Sequence, residues 1–140
     1  MIAVVDASVA VKWFLSFKPD EDHADRALKV LERAVFGPLE FVQPPHFIAE
    51  VAAVLARLKP ADAEVDLRNL LNIERRTLDT PVMYATALEL ATRMQLHLFD
   101  TLYHAVALHT PGATLITADR RYYDKARSEG QITMLADWAV

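Results

Sequence analysis

Short apolar, β-branched runs alternate with amphipathic helical stripes along this whole chain, and few folds accept that order. Ile2 to Val5, Leu39 to Val42, Ala113 to Thr117 and Ile132 to Leu135 read as buried strands, with a shorter run at Thr77 to Thr80. The segments between them carry helical spacing. Asp6-Ala7-Ser8 opens one that runs to Leu15, and a polar loop over residues 16–22 follows, where Asp20 or Asp22 is placed to cap the next helix. Ala24, Ala27, Leu28, Leu31, Ala34 and Val35 form the next stripe, which Gly37-Pro38 stops. After Pro44-Pro45 the clearest helix begins: Phe47, Val51, Val54, Leu55 and Leu58 share one face, and Pro60 ends it. Further helices are expected from Ala61 to Arg76, Pro81 to Met94, Asp100 to His109 and Asp119 to Glu129. Such alternation predicts one α/β domain over residues 1–140, built on a largely parallel sheet.

The bulk properties agree with a compact domain and narrow its chemistry. At 140 residues the chain can bury a core without covalent staples. It has no cysteine, which removes disulfides and thiolate metal sites together. No apolar stretch approaches the roughly 20 residues of a membrane-spanning helix, and no basic leader precedes the first strand. A soluble, cytoplasmic protein is therefore expected. Three glycines in total make no phosphate-cradling loop, which counts against a dinucleotide-binding enzyme.

Four acids fall where strands hand over to helices, or on a helix flank facing that handover. They are Asp6, Glu50, Asp100 and Asp119. In open parallel sheets ligands gather beyond the carboxyl ends of the strands, which is where Asp6 and Asp119 belong. On the helix around Asp100, about 100° per residue puts Phe99, Leu102, Tyr103 and Val106 on the packed face and Asp100 off it. Glu50 lies at the border of its apolar stripe. Each aspartate also suits a helix N-cap, a purely structural role. That reading leaves Glu50 unexplained, and it leaves the small neighbours Ala7, Ser8, Ala49, Thr101 and Ala118 unexplained as well. Four clustered carboxylates would repel one another unless a hard divalent cation such as Mg²⁺ or Mn²⁺ joined them. The net charge of −4 argues against a polyanionic partner only at first sight. Without the four acids, fifteen carboxylates remain against fifteen Lys and Arg.

The stretches Val-Val-Asp6-Ala-Ser-Val-Ala, Pro-Pro-His-Phe-Ile-Ala-Glu50-Val, Phe-Asp100-Thr-Leu-Tyr-His-Ala-Val-Ala and Leu-Ile-Thr117-Ala-Asp119-Arg-Arg together resemble the PIN domain. Within it, the chain most resembles the VapC-like ribonuclease toxins of toxin–antitoxin modules, from the first strand to the closing Met-Leu-Ala-Asp-Trp. The resemblance implies a three-layer α/β/α sandwich with a central, mostly parallel sheet. It further implies a Mg²⁺- or Mn²⁺-dependent endoribonuclease that hydrolyses single-stranded RNA. Asp6, Asp100 and Asp119 would hold the metal, and Glu50 would complete the catalytic set. Thr117 and, more weakly, Ser8 would support them. A cognate antitoxin and a homodimer are the partners it implies. Two positions depart from the family pattern: Ala53 stands where a polar Asn is common, and Thr101 where Ala is common.

Other residues admit both a functional and a structural reading. Arg120 and Arg121, with Lys125 and Arg127, would make an RNA-gripping rim or a solvated helix face. Trp13, Phe14 and Phe17 would form a partner patch or core; Tyr122 and Tyr123, base-stacking rings or core. His104 falls on the Asp100 side of its helix. Alternatives in function are a PIN-like nucleic-acid-binding module without cleavage and a phosphorylation-dependent signalling domain with an acidic pocket. The second would want paired acids after the first strand, and only Asp6 is there. An aspartyl phosphatase would want an acid where Ser8 stands.

Overall fold

A computed structural model of the chain describes residues 1–139. Five strands, β1 (Ile2–Val5), β2 (Glu40–Gln43), β3 (Arg76–Thr77), β4 (Ala113–Thr117) and β5 (Ile132–Met134), form one sheet in the order β3-β2-β1-β4-β5. Every pairing is parallel. Seven helices connect them among the described residues: α1 (Ala7–Ala10), α2 (Ala24–Phe36), α3 (Phe47–Leu58), α4 (Ala63–Leu71), α5 (Pro81–Met94), α6 (Leu98–Leu108) and α7 (Arg120–Ala126). Right-handed crossovers place α1 to α4 over one face of the sheet and α5 to α7 over the other, giving the expected α/β/α sandwich. The strands are buried on both faces, so β1 reads as a continuous apolar run with Val4 and Val5 fully enclosed. Helix α6 lies across β1, β2 and β4, and α5 packs outside it.

Chain direction explains where a site can form. From β1 the chain moves to β2 on one side, whereas β4 lies on the other side of β1. The helices leaving β1 and β4 therefore diverge to opposite faces and open a crevice at the carboxyl ends of those two strands.

Several element boundaries differ from the sequence expectation. Helix α4 ends at Leu71 rather than near Arg76, because Arg76 and Thr77 are drawn out to pair with Val42 and Gln43 as an edge strand. The third strand is thus Arg76–Thr77 and not residues 77–80. Neither Asp20 nor Asp22 caps α2; its N-cap is His23, in a left-handed conformation with no side-chain cap bond. Gly37 does end that helix, at φ +81°, a conformation costly for any residue with a Cβ. The helix expected from Asp100 starts two residues earlier, at Leu98, with His97 as its cap. The last helix stops at Ala126 and tightens into a 3₁₀ turn over Arg127–Glu129. After α1 the chain likewise continues as a 3₁₀ turn, Val11–Trp13.

Candidate active site

All four acids reach one crevice. Asp6, Glu50, Asp100 and Asp119 line a cleft of about 230 Å³ together with Ala7, Ser8, Val11 and Val54. Asp6 follows β1 directly and caps α1; Asp119 lies two residues beyond β4 and caps α7. Val9 N–H donates to Asp6 Oδ1 at 3.3 Å, and Tyr122 N–H donates to Asp119 Oδ1 at 3.0 Å. The structural reading of these two aspartates is therefore true, and it does not exclude the functional one. Asp100 caps nothing. It is the third residue of α6, and Glu50 is the fourth of α3.

Two hydroxyls tie the aspartates to the sheet. Thr117, fully buried at the end of β4, donates to Asp6 Oδ2 and accepts from Asp119 N–H at 3.1 Å. Ser8 donates to Asp6 Oδ1 and accepts from Ala118 N–H at 3.0 Å. Each hydroxyl bridges the end of β1 to the start of the β4–α7 turn, so Asp6 is held on both oxygens. Buried Gln43 fixes the same strand end from the other side: its Oε1 accepts from Val5 N–H at 2.9 Å, and its Nε2 donates to Val5 O at 2.7 Å. This amide takes the place of a neighbouring strand at the residue before Asp6. Glu50 is held by Tyr103, whose hydroxyl donates to Glu50 Oε1 at 2.8 Å.

The cleft's electrostatics are those of acids without counter-charges. Among the described residues no Lys or Arg forms an ion pair with any of the four. Burial pushes the Asp6 carboxyl up to about 7, against the hydrogen bonds from Ser8 and Thr117 that favour its charged form. Burial also raises Glu50, with the Tyr103 bond opposing. Asp100 is raised by burial first and then by repulsion from Glu50 and Asp119. Shifts of this kind, from several causes converging on one cleft, mark functional carboxylates more often than structural ones.

The donor set fits a hard divalent cation. Among the described residues no three acidic or histidine side chains come close enough to enclose an ion unaided. Mg²⁺ does not need that, since it retains several waters and takes one or two carboxylates directly. Unpaired, mutually repelling carboxylates are the environment such an ion relieves.

The structure separates the other sequence candidates. Arg121 lines a second basin beside the cleft, whereas Arg120 turns to Asp124 at 3.8 Å and lies over the Tyr123 ring. His104 is fully buried and lines no part of the cleft: Nε2 donates to Gly130 O at 2.8 Å and Nδ1 accepts from the Tyr122 hydroxyl at 2.9 Å. Trp13 and Tyr122 are core, while Phe17 is exposed. Phe99, expected on the packed face, is half exposed: it is the second residue of α6, and its ring meets those of His46 and His97. Thr101 points away from the cleft, donating to Ala87 O and Leu98 O, so its hydroxyl serves the α5–α6 contact. Gln43 and the hydroxyl of Tyr103 are site supports that the sequence reading passed over. Apolar periodicity assigns Tyr103 to the core and says nothing of where its hydroxyl ends.

The fold is shared with solved structures. VapC20 from Mycobacterium tuberculosis, described as a sarcin–ricin loop cleaving toxin, is 17% identical with a TM-score of 0.65, over 89% of this chain and 94% of that one. VapBC-1 from nontypeable Haemophilus influenzae is 13% identical with a TM-score of 0.67, over 98% and 100%. PAE2754 from Pyrobaculum aerophilum is 23% identical with a TM-score of 0.62, over 96% and 89%. Among curated proteins none matches by sequence. The PIN domain family model matches residues 3–128, a span that holds all four acids, and the chain belongs to the PIN domain family.

Proposed function

We propose that this protein is a metal-dependent endoribonuclease that hydrolyses phosphodiester bonds of single-stranded RNA, and that it is the toxin of a toxin–antitoxin pair. The observation that carries the reading is the cleft of four carboxylates with no basic partner, at the switch point of a PIN domain. The fold shared with VapC20 and VapBC-1 supports the toxin assignment. RNA, a cognate antitoxin and a second copy of the chain are the partners in this reading.

Asp6, Asp100 and Asp119 would hold Mg²⁺ or Mn²⁺, directly or through water. Bound there, the ion would lower the pKa of a water and stabilise charge on the phosphodiester during in-line displacement. The chain's own part is positioning. Ser8, Thr117 and Val9 N–H fix both oxygens of Asp6, so its orientation is set before any ligand arrives. Tyr103 engages one oxygen of Glu50, whose raised proton affinity suits it to take a proton from the attacking water.

Purified protein should cut single-stranded RNA with Mg²⁺ or Mn²⁺, and EDTA should stop it. Asp100→Asn should lower the rate by about 10²-fold or more, the scale of losing one group that stabilises charge at a reacting centre. Equal cutting by Asp6→Ala and Asp100→Asn preparations would sink the assignment. RNA bound but never cut by metal-loaded protein would point instead to a binding module.

A further inference from the structure

Asp100 and Asp119 line the acidic cleft. Those two residues also form a wall of a second basin of about 260 Å³, whose remaining lining includes His97, Arg121, Tyr122 and Lys125. The basins are therefore contiguous, with the two aspartates between them. Arg121 and Lys125 stand four residues apart on α7, one above the other on the same face. Among the described residues neither pairs with a carboxylate, and Lys125 Nζ donates to Met94 O at 3.5 Å. Arg120 has both a carboxylate and a ring for company. His97 Nδ1 accepts from Phe99 N–H at 3.1 Å, which leaves Nε2 as the nitrogen able to donate to a ligand.

Cations so close to uncompensated acids would ordinarily fold onto them. Here they do not: among the described residues neither Arg121 nor Lys125 forms an ion pair with any of the four acids. The basin thus keeps acids at one end and free cations at the other. A small anion would satisfy only the cationic end. A polyanion with regularly spaced phosphates satisfies both, one phosphate at the acids through their cation and a neighbouring phosphate at Arg121 and Lys125.

We infer that Arg121 and Lys125, with His97 beside them, form a subsite for a backbone phosphate flanking the scissile one, which sets the path of the RNA strand out of the cleft. Arg120, though adjacent in sequence, takes no part. The inference rests on the ribonuclease reading and adds to it which side of the cleft the strand leaves by.

The test separates this subsite from general charge. Binding of a fluorescein-labelled single-stranded RNA decamer is followed by anisotropy in EDTA across a salt series, and cleavage of the same RNA is followed in Mn²⁺. Each neutralised phosphate contributes about 0.7 to the slope of log K against log salt on single strands, so Arg121→Ala/Lys125→Ala, which empties one phosphate subsite, should flatten it by about 0.7. The double variant should raise KM by about tenfold with kcat nearly unchanged, because the lost contacts act on binding. Arg121→Lys/Lys125→Arg should restore the slope, and Arg120→Ala should leave slope and KM as in the parent. All three positions are exposed, so folding is expected to survive, and melting curves check it. A double variant with the parent's slope and KM, or an Arg120→Ala variant with the same loss, overturns the subsite while the nuclease reading stands. A parent protein that neither binds nor cuts the RNA overturns both.

Discussion

At the scale of single residues, Asp6 is held on both of its oxygens. Its two oxygens take three donors, from Ser8, Val9 and Thr117. Even so, its proton affinity rises to about 7, because burial outweighs those bonds. The hydroxyl of Thr117 bridges Asp6 and the amide of Asp119, so one oxygen atom positions two of the four acids. Thr117→Val keeps the shape and removes that oxygen. It should cost about 1–3 kcal/mol in urea unfolding, the penalty of a buried amide and carboxylate left short of partners. Cleavage should fall about 10–100-fold, as for other groups that orient metal-binding carboxylates. Ser8→Ala should lose less of both, since Ser8 is only half-buried. Thr117 came only with the family resemblance, whereas Asp6 and Asp119 were legible in the sequence because a strand's end and a helix's start mark their place. Tyr103 was not, since a phenol's ring and hydroxyl answer to different partners and periodicity reports only the ring.

Elements hold that geometry in place, and two buried polar groups show how. Gln43 ends β2 and closes both backbone bonds of Val5, the residue before Asp6. Gln43→Ala should destabilise the protein by about 2–4 kcal/mol, combining unpaired buried groups with a cavity, and should reduce cleavage along with stability. The sequence reading ends this strand at Val42, one residue short of Gln43, so the role of that side chain became visible only with β1 beside it. His104 joins α6 to α7 and to the turn before β5 as a neutral ring, with Nε2–H donating and Nδ1 accepting. Burial holds its pKa below the usual 6.5. The unfolded chain therefore takes up a proton near 6.5 that the folded protein refuses, and stability is lost as pH falls below that value. His104→Gln removes the titration. Between about pH 7 and pH 5.5 the parent should lose more unfolding free energy than the variant; parallel losses would show that His104 is not buried in its neutral form. The short α4 carries a related lesson. Its apolar pattern runs past Leu71, but pairing of Arg76 and Thr77 to β2 takes those residues out of the helix, a long-range competitor that local spacing cannot register.

For the whole molecule, the deciding fact is where β1 sits in the sheet. With β2 on one side and β4 on the other, a central strand delivers Asp6 to the crevice that β4 and α7 also border. The order of elements implied a parallel sheet, while the strand order itself depended on pairings between distant segments. The fold gathers four of the chain's nineteen carboxylates into this crevice, and it supplies no Lys or Arg partner to any of them among the described residues. Folding thus brings like charges together and gives up stability that a cation can return. Added Mn²⁺ or Mg²⁺ should raise the melting temperature relative to EDTA, by an amount equivalent to about 2.7 kcal/mol at a hundredfold excess over its Kd. Asp100→Asn relieves part of the repulsion without metal. It should melt higher than the parent in EDTA and gain less from Mn²⁺, so the two proteins converge or cross as metal is added. A parent whose melting ignores both ions, or a variant that gains as much as the parent, would separate the acid cluster from any metal. The four acids would then need another counter-charge, such as a basic side chain brought by a partner protein.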